Sequence, residues 1–183
     1  MFALRALVVY ESMFGNTESV AAAVADGLAL AGAEVSLLEV AQASAVDIAQ
    51  HDLIVVGAPT HAFSLSRHAT REDAVRQGAD PARAEAGVRE WLMNLPRDDT
   101  QRLAACFDTR VTRVRHIPKS ASTRAGHLLV RNGLTLIDRP TAFLVQGTLG
   151  PLGVSELERA TAWGQHLATE AQRRLAVRPS ARR

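Results

Sequence analysis

The sequence predicts an α/β protein built on a doubly wound, five-stranded parallel sheet. Three observations predict it: short runs that are apolar on both faces, helical stripes between them, and a polar, glycine-bearing turn joining the first run to the first stripe. Strands apolar on both faces must be covered by helices on both sides. Parallel neighbours need crossover connections, and those crossovers are right-handed.

The elements follow in order. Ala6 to Tyr10 (ALVVY) reads as the first strand, and Val20, Val24, Leu28 and Ala31 recur at helical spacing behind it. Ala33 to Val40 (AEVSLLEV) and Leu53 to Gly57 (LIVVG) are the second and third strands. From Ala58 to about Asp80 the chain shows no clear periodicity. A connection of roughly 20 structureless residues is uncommon in a compact domain and usually functional, so this one is expected to lie over a ligand. Ala84, Val88, Trp91, Leu92 and Leu95 mark a further helix, Leu103 to Phe107 (LAACF) the fourth strand and Ala142 to Val145 (AFLV) the fifth. Leu157, Ala160, Gly164, Leu167, Ala171 and Leu175 form the stripe of the last helix. Residues 1–177 therefore read as one domain, and 178–183 as a basic, disordered tail.

Length and composition set bounds. A chain of 183 residues buries about 70% of its unfolded surface, enough for a core without staples. Cys106 is the only cysteine, which excludes an internal disulfide and points to a reducing, cytoplasmic setting; inside an apolar strand it reads as a core residue. Arg5, Glu11, Asp26 and Glu34 interrupt the early apolar stretches, so no run approaches the roughly 18 residues of a membrane span. The sequence pI is 9.3, but Arg178, Arg182 and Arg183 in the tail account for much of the excess. The rest is nearly neutral overall, which argues against nucleic acid as a partner. One asymmetry stands out: no acid lies between Asp108 and Asp138, where Arg110, Arg113, Arg115, Lys119, Arg124 and Arg131 all fall. His51, His68, His116, His127 and His166 show no metal-ligand spacing, so no metal is expected.

The turn after the first strand, Glu11-Ser12-Met13-Phe14-Gly15-Asn16-Thr17, carries the first functional signal. It enters a helix where free backbone N–H groups and the positive end of the dipole face outward together, the geometry that binds anions. Gly15 lets backbone come close, and the hydroxyls of Ser12 and Thr17 are phosphate donors. A dinucleotide fingerprint needs three glycines and a nucleoside-triphosphate loop needs a Lys; this turn has one Gly and no Lys. A receiver domain would place an acidic pair after the first strand and an aspartate after the third, where Glu11-Ser12 and Gly57-Ala58 stand.

SMFGNT at Ser12 to Thr17, together with LIVVGAPTHAFSLS at Leu53 to Ser66, resembles the flavodoxin family. The resemblance implies the strand order 2-1-3-4-5 with flavin mononucleotide (FMN) at the switch between strands one and three; both come with the family and are not read from the pattern. It implies that Ser12, Met13, Phe14, Gly15, Asn16 and Thr17 surround the FMN phosphate. It places Pro59, Thr60, His61, Ala62 and Phe63 beside the flavin ring, and a loop at Phe107, Asp108, Thr109 and Arg110 at its far end. Phe14 stands where many members carry Thr or Ser, removing one donor. No Trp–Tyr sandwich of the ring is available, leaving Phe14, His61, Phe63 and Phe107 as stacking residues. The family's usual acidic surface is absent too, and Arg110 to Arg124 has the opposite sign. The implied function is an FMN-dependent redox protein: a one-electron carrier serving a redox partner protein, or an NAD(P)H-dependent reductase of a quinone-like acceptor. A flavin-free interaction or regulatory module on the same fold is the third reading.

Overall fold

The computed structural model describes residues 3–44, 46–114 and 120–177. Strand β1 (Arg5–Tyr10) is paired in parallel with the edge strand β2 (Glu34–Glu39) on one side and the central strand β3 (Leu53–Pro59) on the other. Next to β3 runs β4 (Leu103–Val111). The lane beyond it is split: β5 (Thr135–Leu136) pairs with Leu103 and Ala104, and β6 (Thr141–Val145) pairs with Phe107 to Val111. The order is β2-β1-β3-β4-β5, with β6 also on β4, as a flavodoxin-like sheet requires but with six strands where five were expected. Pro140, which has no N–H to give to a ladder, stands in the break between β5 and β6.

Helices α1 (Asn16–Leu30) and α6 (Glu156–Val177) cover one face of the sheet. The other face is covered by the short α2 (Val40–Ala43), α4 (Val88–Asn94) and α5 (Ala121–Arg131), while α3 (His68–Arg76) lies outside the sheet between β3 and α4. Alternate strand residues divide accordingly. Ala6, Val8, Leu53, Val55, Ala105 and Phe107 face α1 and α6, while Leu7, Val9, Ile54, Val56, Ala104 and Cys106 face α4 and α5. Phe107 meets Phe143 and Trp163 edge-on, with ring centroids 5.7 and 6.0 Å apart. Such pairs contribute about 0.5–1.5 kcal/mol each beyond their buried area. α1 and α6 cross at glycines: a Cβ on Gly27 would strike the Thr161 carbonyl oxygen, and one on Gly164 the Val24 carbonyl oxygen.

Three local expectations need correction. The segment from Ala58 to Asp80 is ordered, holding the end of β3, a tight hairpin at His61–Ser64 and α3. β4 continues four residues past Phe107, so Asp108, Thr109 and Arg110 are strand residues rather than a loop. The strand persists because Asp108 is satisfied inside it: its carboxylate accepts from Ser122 N at 3.0 Å, Ser122 Oγ at 2.6 Å and the Arg110 guanidinium at 2.7 and 2.8 Å. Helix α5 occupies what looked like part of a basic stretch. The basic residues Arg115 and Lys119 and the tail at 178–183 lie outside the described residues.

Cys106 is a core residue. Its Sγ donates to Ser122 O at 3.3 Å, and burial, with Asp108 and Asp138 adding to it, pushes the thiol up to about 12. Trp163 Nε1 donates to Asp138 Oδ2 at 2.8 Å, and Trp91 Nε1 reaches Ala43 O at 3.4 Å, so both indoles serve packing. No helix among the described residues is long and apolar enough to cross a membrane, and no cluster of three metal-type ligands forms among them.

Candidate functional site

α1 leaves β1 toward the α6 face, whereas the chain after β3 leaves toward the α4 face. The carboxyl ends of β1 and β3 therefore part into a crevice, the place where open α/β sheets bind ligands. A cleft of about 250 Å³ lies there, lined by Ser12, Met13, Phe14, Asn16, Thr17, Pro59, Thr60, His61, Ala62, Thr109, Arg110, Val111, Val145 and Thr148. A larger cavity of about 370 Å³ lies between α2 and α4 around Trp91, away from the switch point.

The floor of the cleft is the start of α1. Gly15 is its N-cap in the left-handed region at φ 86°, with no side chain capping the helix. A Cβ there would meet nothing within 4 Å, so glycine is required by backbone conformation and not by crowding. Ser12 Oγ accepts from Gly15 N at 3.1 Å and closes the loop. The N–H groups of Asn16, Thr17 and Glu18 take no partner among the described residues. Thr17 Oγ1 lies 2.8 Å from Thr109 Oγ1. Asn16 packs on the turn after β6, where a Cβ on Gly150 would approach its Oδ1 to 2.7 Å.

The loop is braced from behind. Arg83, 71 residues on from Ser12, donates to Ser12 O at 3.0 Å and to Glu18 Oε2 at 2.8 Å. That pairing, set against partial burial, raises the Arg83 pKa. Met13 and Phe14 pack with Ala74 of α3 and with Ala79 and Ala84 beyond it. Phe14 is thus an anchor for the segment over the cleft, which accounts for an aromatic ring where a hydroxyl was expected. Glu11 is fully buried: its N donates to Gly57 O at 3.0 Å, and its Oε2 accepts from Val88 N at 2.9 Å. Burial chiefly raises its pKa, against the hydrogen bonds from Ser66 and Val88 and the charge of Arg71. Arg71 is itself buried, donating to Ala84 O and Ser66 Oγ at 3.0 Å each and to Glu90 Oε2 at 3.2 Å.

The opposite wall is the hairpin after β3. Thr60 N donates to Thr109 O at 2.9 Å, and Thr60 Oγ1 accepts from Ala121 N at 3.1 Å. His61 and Ser64 exchange both backbone hydrogen bonds, at 2.9 and 3.0 Å. The two residues between them, Ala62 and Phe63, have φ 45° and 63°. Positive φ at both central positions is the hairpin geometry that matches strand twist, and it is unusual without Gly or Asn. Burial, then the charge of Arg71, lowers the His61 pKa, which keeps the ring neutral near pH 7.

The structure brings most of the expected residues together. Ser12, Met13, Phe14, Asn16, Thr17, Pro59, Thr60, His61, Ala62, Thr109 and Arg110 line one cleft, with Gly15 shaping its floor. Phe107 and Asp108 are placed elsewhere, the ring in the aromatic core and the carboxylate against Ser122 and Arg110. Phe63 points out to solvent at 49% exposure. Val111, Val145 and Thr148 join the lining without having been singled out, because they come from strand ends that carry no compositional signal.

Comparison with known proteins agrees with this geometry. The flavodoxin family model matches residues 8–79, which span β1, the α1 loop, β3, the hairpin and α3. Oxidised flavodoxin 2 of Bacillus cereus has a similar structure at a TM-score of 0.65 and 23% identity, covering 91% of this chain and 99% of that one. A cysteine-to-serine mutant of the Pseudomonas aeruginosa flavodoxin gives 0.63 at 15% identity over 92% and 99%. A flavodoxin, WrbA-like protein of Agrobacterium tumefaciens gives 0.58 at 17% over 93% and 99%. No curated protein matches the sequence. At these identities the structural likeness speaks for the fold, and the sequence signature rests on residues 8–79. The chain thus has a flavodoxin-like fold, and the part of it that matches the flavodoxin family model carries the β1 and β3 loops that form the cleft.

Proposed function

We propose that the cleft holds FMN and that the protein serves as an electron carrier. The observation that carries this reading is the open first turn of α1 behind Gly15, whose N–H groups converge at the switch between β1 and β3. Flavodoxins bind FMN, and the residues present suit its phosphate: backbone donors from Asn16 to Glu18, the Asn16 amide, and the paired hydroxyls of Thr17 and Thr109. Bound there, FMN would supply the electron-accepting and electron-donating chemistry.

The protein's own part is to hold and orient. Arg83 fixes the phosphate loop through Ser12 O and Glu18, and Thr60 ties the β3 hairpin to β4 and α5. Neutral His61 gives that wall a polar edge without a charge. Arg110 is held by Asp108, so the positive charge at the cleft rim is compensated. The single buried thiol supports a cytoplasmic setting.

Titration of the purified protein with FMN, followed by visible absorbance and flavin fluorescence, tests the reading. Uptake at micromolar concentration is expected; no uptake would leave the flavin-free module as the function of this fold. With FMN bound, steady NAD(P)H consumption in the presence of a quinone would replace the carrier by the reductase.

A further inference from the structure

The hairpin at His61–Ser64 is flanked by arginines that form no ion pair among the described residues. Arg89, from the first turn of α4, reaches back to hold it: Nε donates to Ser66 O at 2.8 Å, and Nη2 to Leu65 O at 2.6 Å and to Ser64 Oγ at 3.1 Å. Arg67, the residue before α3, and Arg124, in the first turn of α5, are both exposed beside it. None of the three pairs with a carboxylate among the described residues, whereas Arg71, Arg83, Arg102 and Arg110 all do. Burial first, and then the charges of Arg67 and Arg124, lower the Arg89 pKa, with Glu90 and Glu11 opposing. Arg67 and Arg124 each repel Arg89, and an external anion bound near them relieves that repulsion.

Phe63, half exposed, belongs to the same hairpin, one residue before Ser64, which Arg89 holds, and four before Arg67. An exposed aromatic rimmed by arginines is the composition of a protein-docking patch, with an apolar centre and a charged border that steers the encounter.

We infer that the face formed by Phe63, Arg67, Arg89 and Arg124 docks an acidic redox protein, whose carboxylates surround an apolar contact for Phe63. The inference rests on the FMN reading for its purpose, because the face borders the hairpin that walls the cleft. The partner's charge is then opposite to that served by an acidic carrier.

The variant for testing is R67E/R124E. Both positions lie at helix starts, where an acidic side chain agrees with the dipole, so the reversal does not undermine folding. Arg89 stays, since it supports the hairpin. In the first arm the flavin-free protein is mixed with hexacyanochromate(III), a trivalent paramagnetic anion, and amide line broadening is mapped. Broadening concentrated at residues 63–67, 89 and 124, and lost in R67E/R124E, is the expected result; broadening elsewhere, or unchanged in the variant, overturns the face. In the second arm FMN-loaded, reduced protein is oxidised by hexacyanoferrate(III). Two of these ions take the two electrons and become hexacyanoferrate(II), and the protons leave to water. The variant should react roughly tenfold more slowly at low salt, and hexaammineruthenium(III), a trivalent cation, should react faster with it than with the native protein. Equal rates for both reagents in both proteins would overturn the docking role. Failure to take up FMN would refute the flavin reading alone, since the first arm does not need it. A DNA duplex that broadens the same amides while an acidic ferredoxin does not would replace the protein partner by nucleic acid.

Discussion

Thr17 Oγ1 and Thr109 Oγ1 lie 2.8 Å apart, joining the first turn of α1 to the end of β4 across the floor of the cleft. Both residues are buried, so removing one hydroxyl strands the other. Thr17→Val and Thr109→Val should each destabilise the protein by about 1–2 kcal/mol in urea unfolding, and the double variant by less than the sum. Additive losses would show that the pair is not coupled. The same single variants should weaken FMN binding roughly tenfold in the absorbance titration.

Gly15 and Gly27 separate conformational from steric cost. Gly15→Ala meets open space but must hold φ 86°, an expense of about 1–2 kcal/mol. Gly27→Ala would drive a methyl into the Thr161 carbonyl and part α1 from α6, with a cost at or above the usual 1–3 kcal/mol of overpacking. Urea midpoints at constant m order the two, and Gly15→Ala proving the more damaging would contradict the geometry.

Glu11 and His61 give opposite pH signatures. The Glu11 pKa is raised in the folded state, so its contribution is present below the unfolded value of 4.5 and is lost as pH rises through the folded value. Native protein should therefore lose stability relative to Glu11→Gln as pH climbs from about 4.5. The His61 pKa is lowered, so its contribution is complete above 6.5 and is lost as pH falls toward the folded value. His61→Asn should flatten the acid-side decline below pH 6.5 in thermal melts, and unaltered profiles would show these groups to be solvated.

Cys106 should resist alkylation. A buried thiol pushed up to about 12 is almost wholly protonated at neutral pH, and the thiolate is the nucleophile. Mass spectrometry after iodoacetamide treatment should find modification only in urea; rapid labelling of the native protein would mean that the α5 face opens.

Much of this architecture was legible in the chain. β1 and β3 announce themselves because both faces are apolar, and SMFGNT reads as an anion turn because a lone glycine precedes a helix. β4 was read short because Asp108, Thr109 and Arg110 are polar, and only the fold supplies Ser122 to satisfy the carboxylate. α5 hid because Ser122 and Gly126 sit on its buried side, interrupting the apolar stripe. The two-residue β5 is too short to carry a period at all. Within the cleft, Arg83 and Glu18 stand 65 residues apart, and nothing local in either stretch signals that they meet.

Arg83 joins two parts of the molecule that follow different rules. The sheet and its covering helices form a continuous apolar interior, whereas the stretch holding α3 and Arg83 hangs on a small satellite of Met13, Ala74, Ala79 and Ala84. The anion turn thus borrows part of its stiffness from an outlying flap, through a cation whose attraction to Glu18 fades with ionic strength. Grip on a cofactor and integrity of the scaffold are separable properties in this design, and concentrated salt should slacken the first well before it troubles the second.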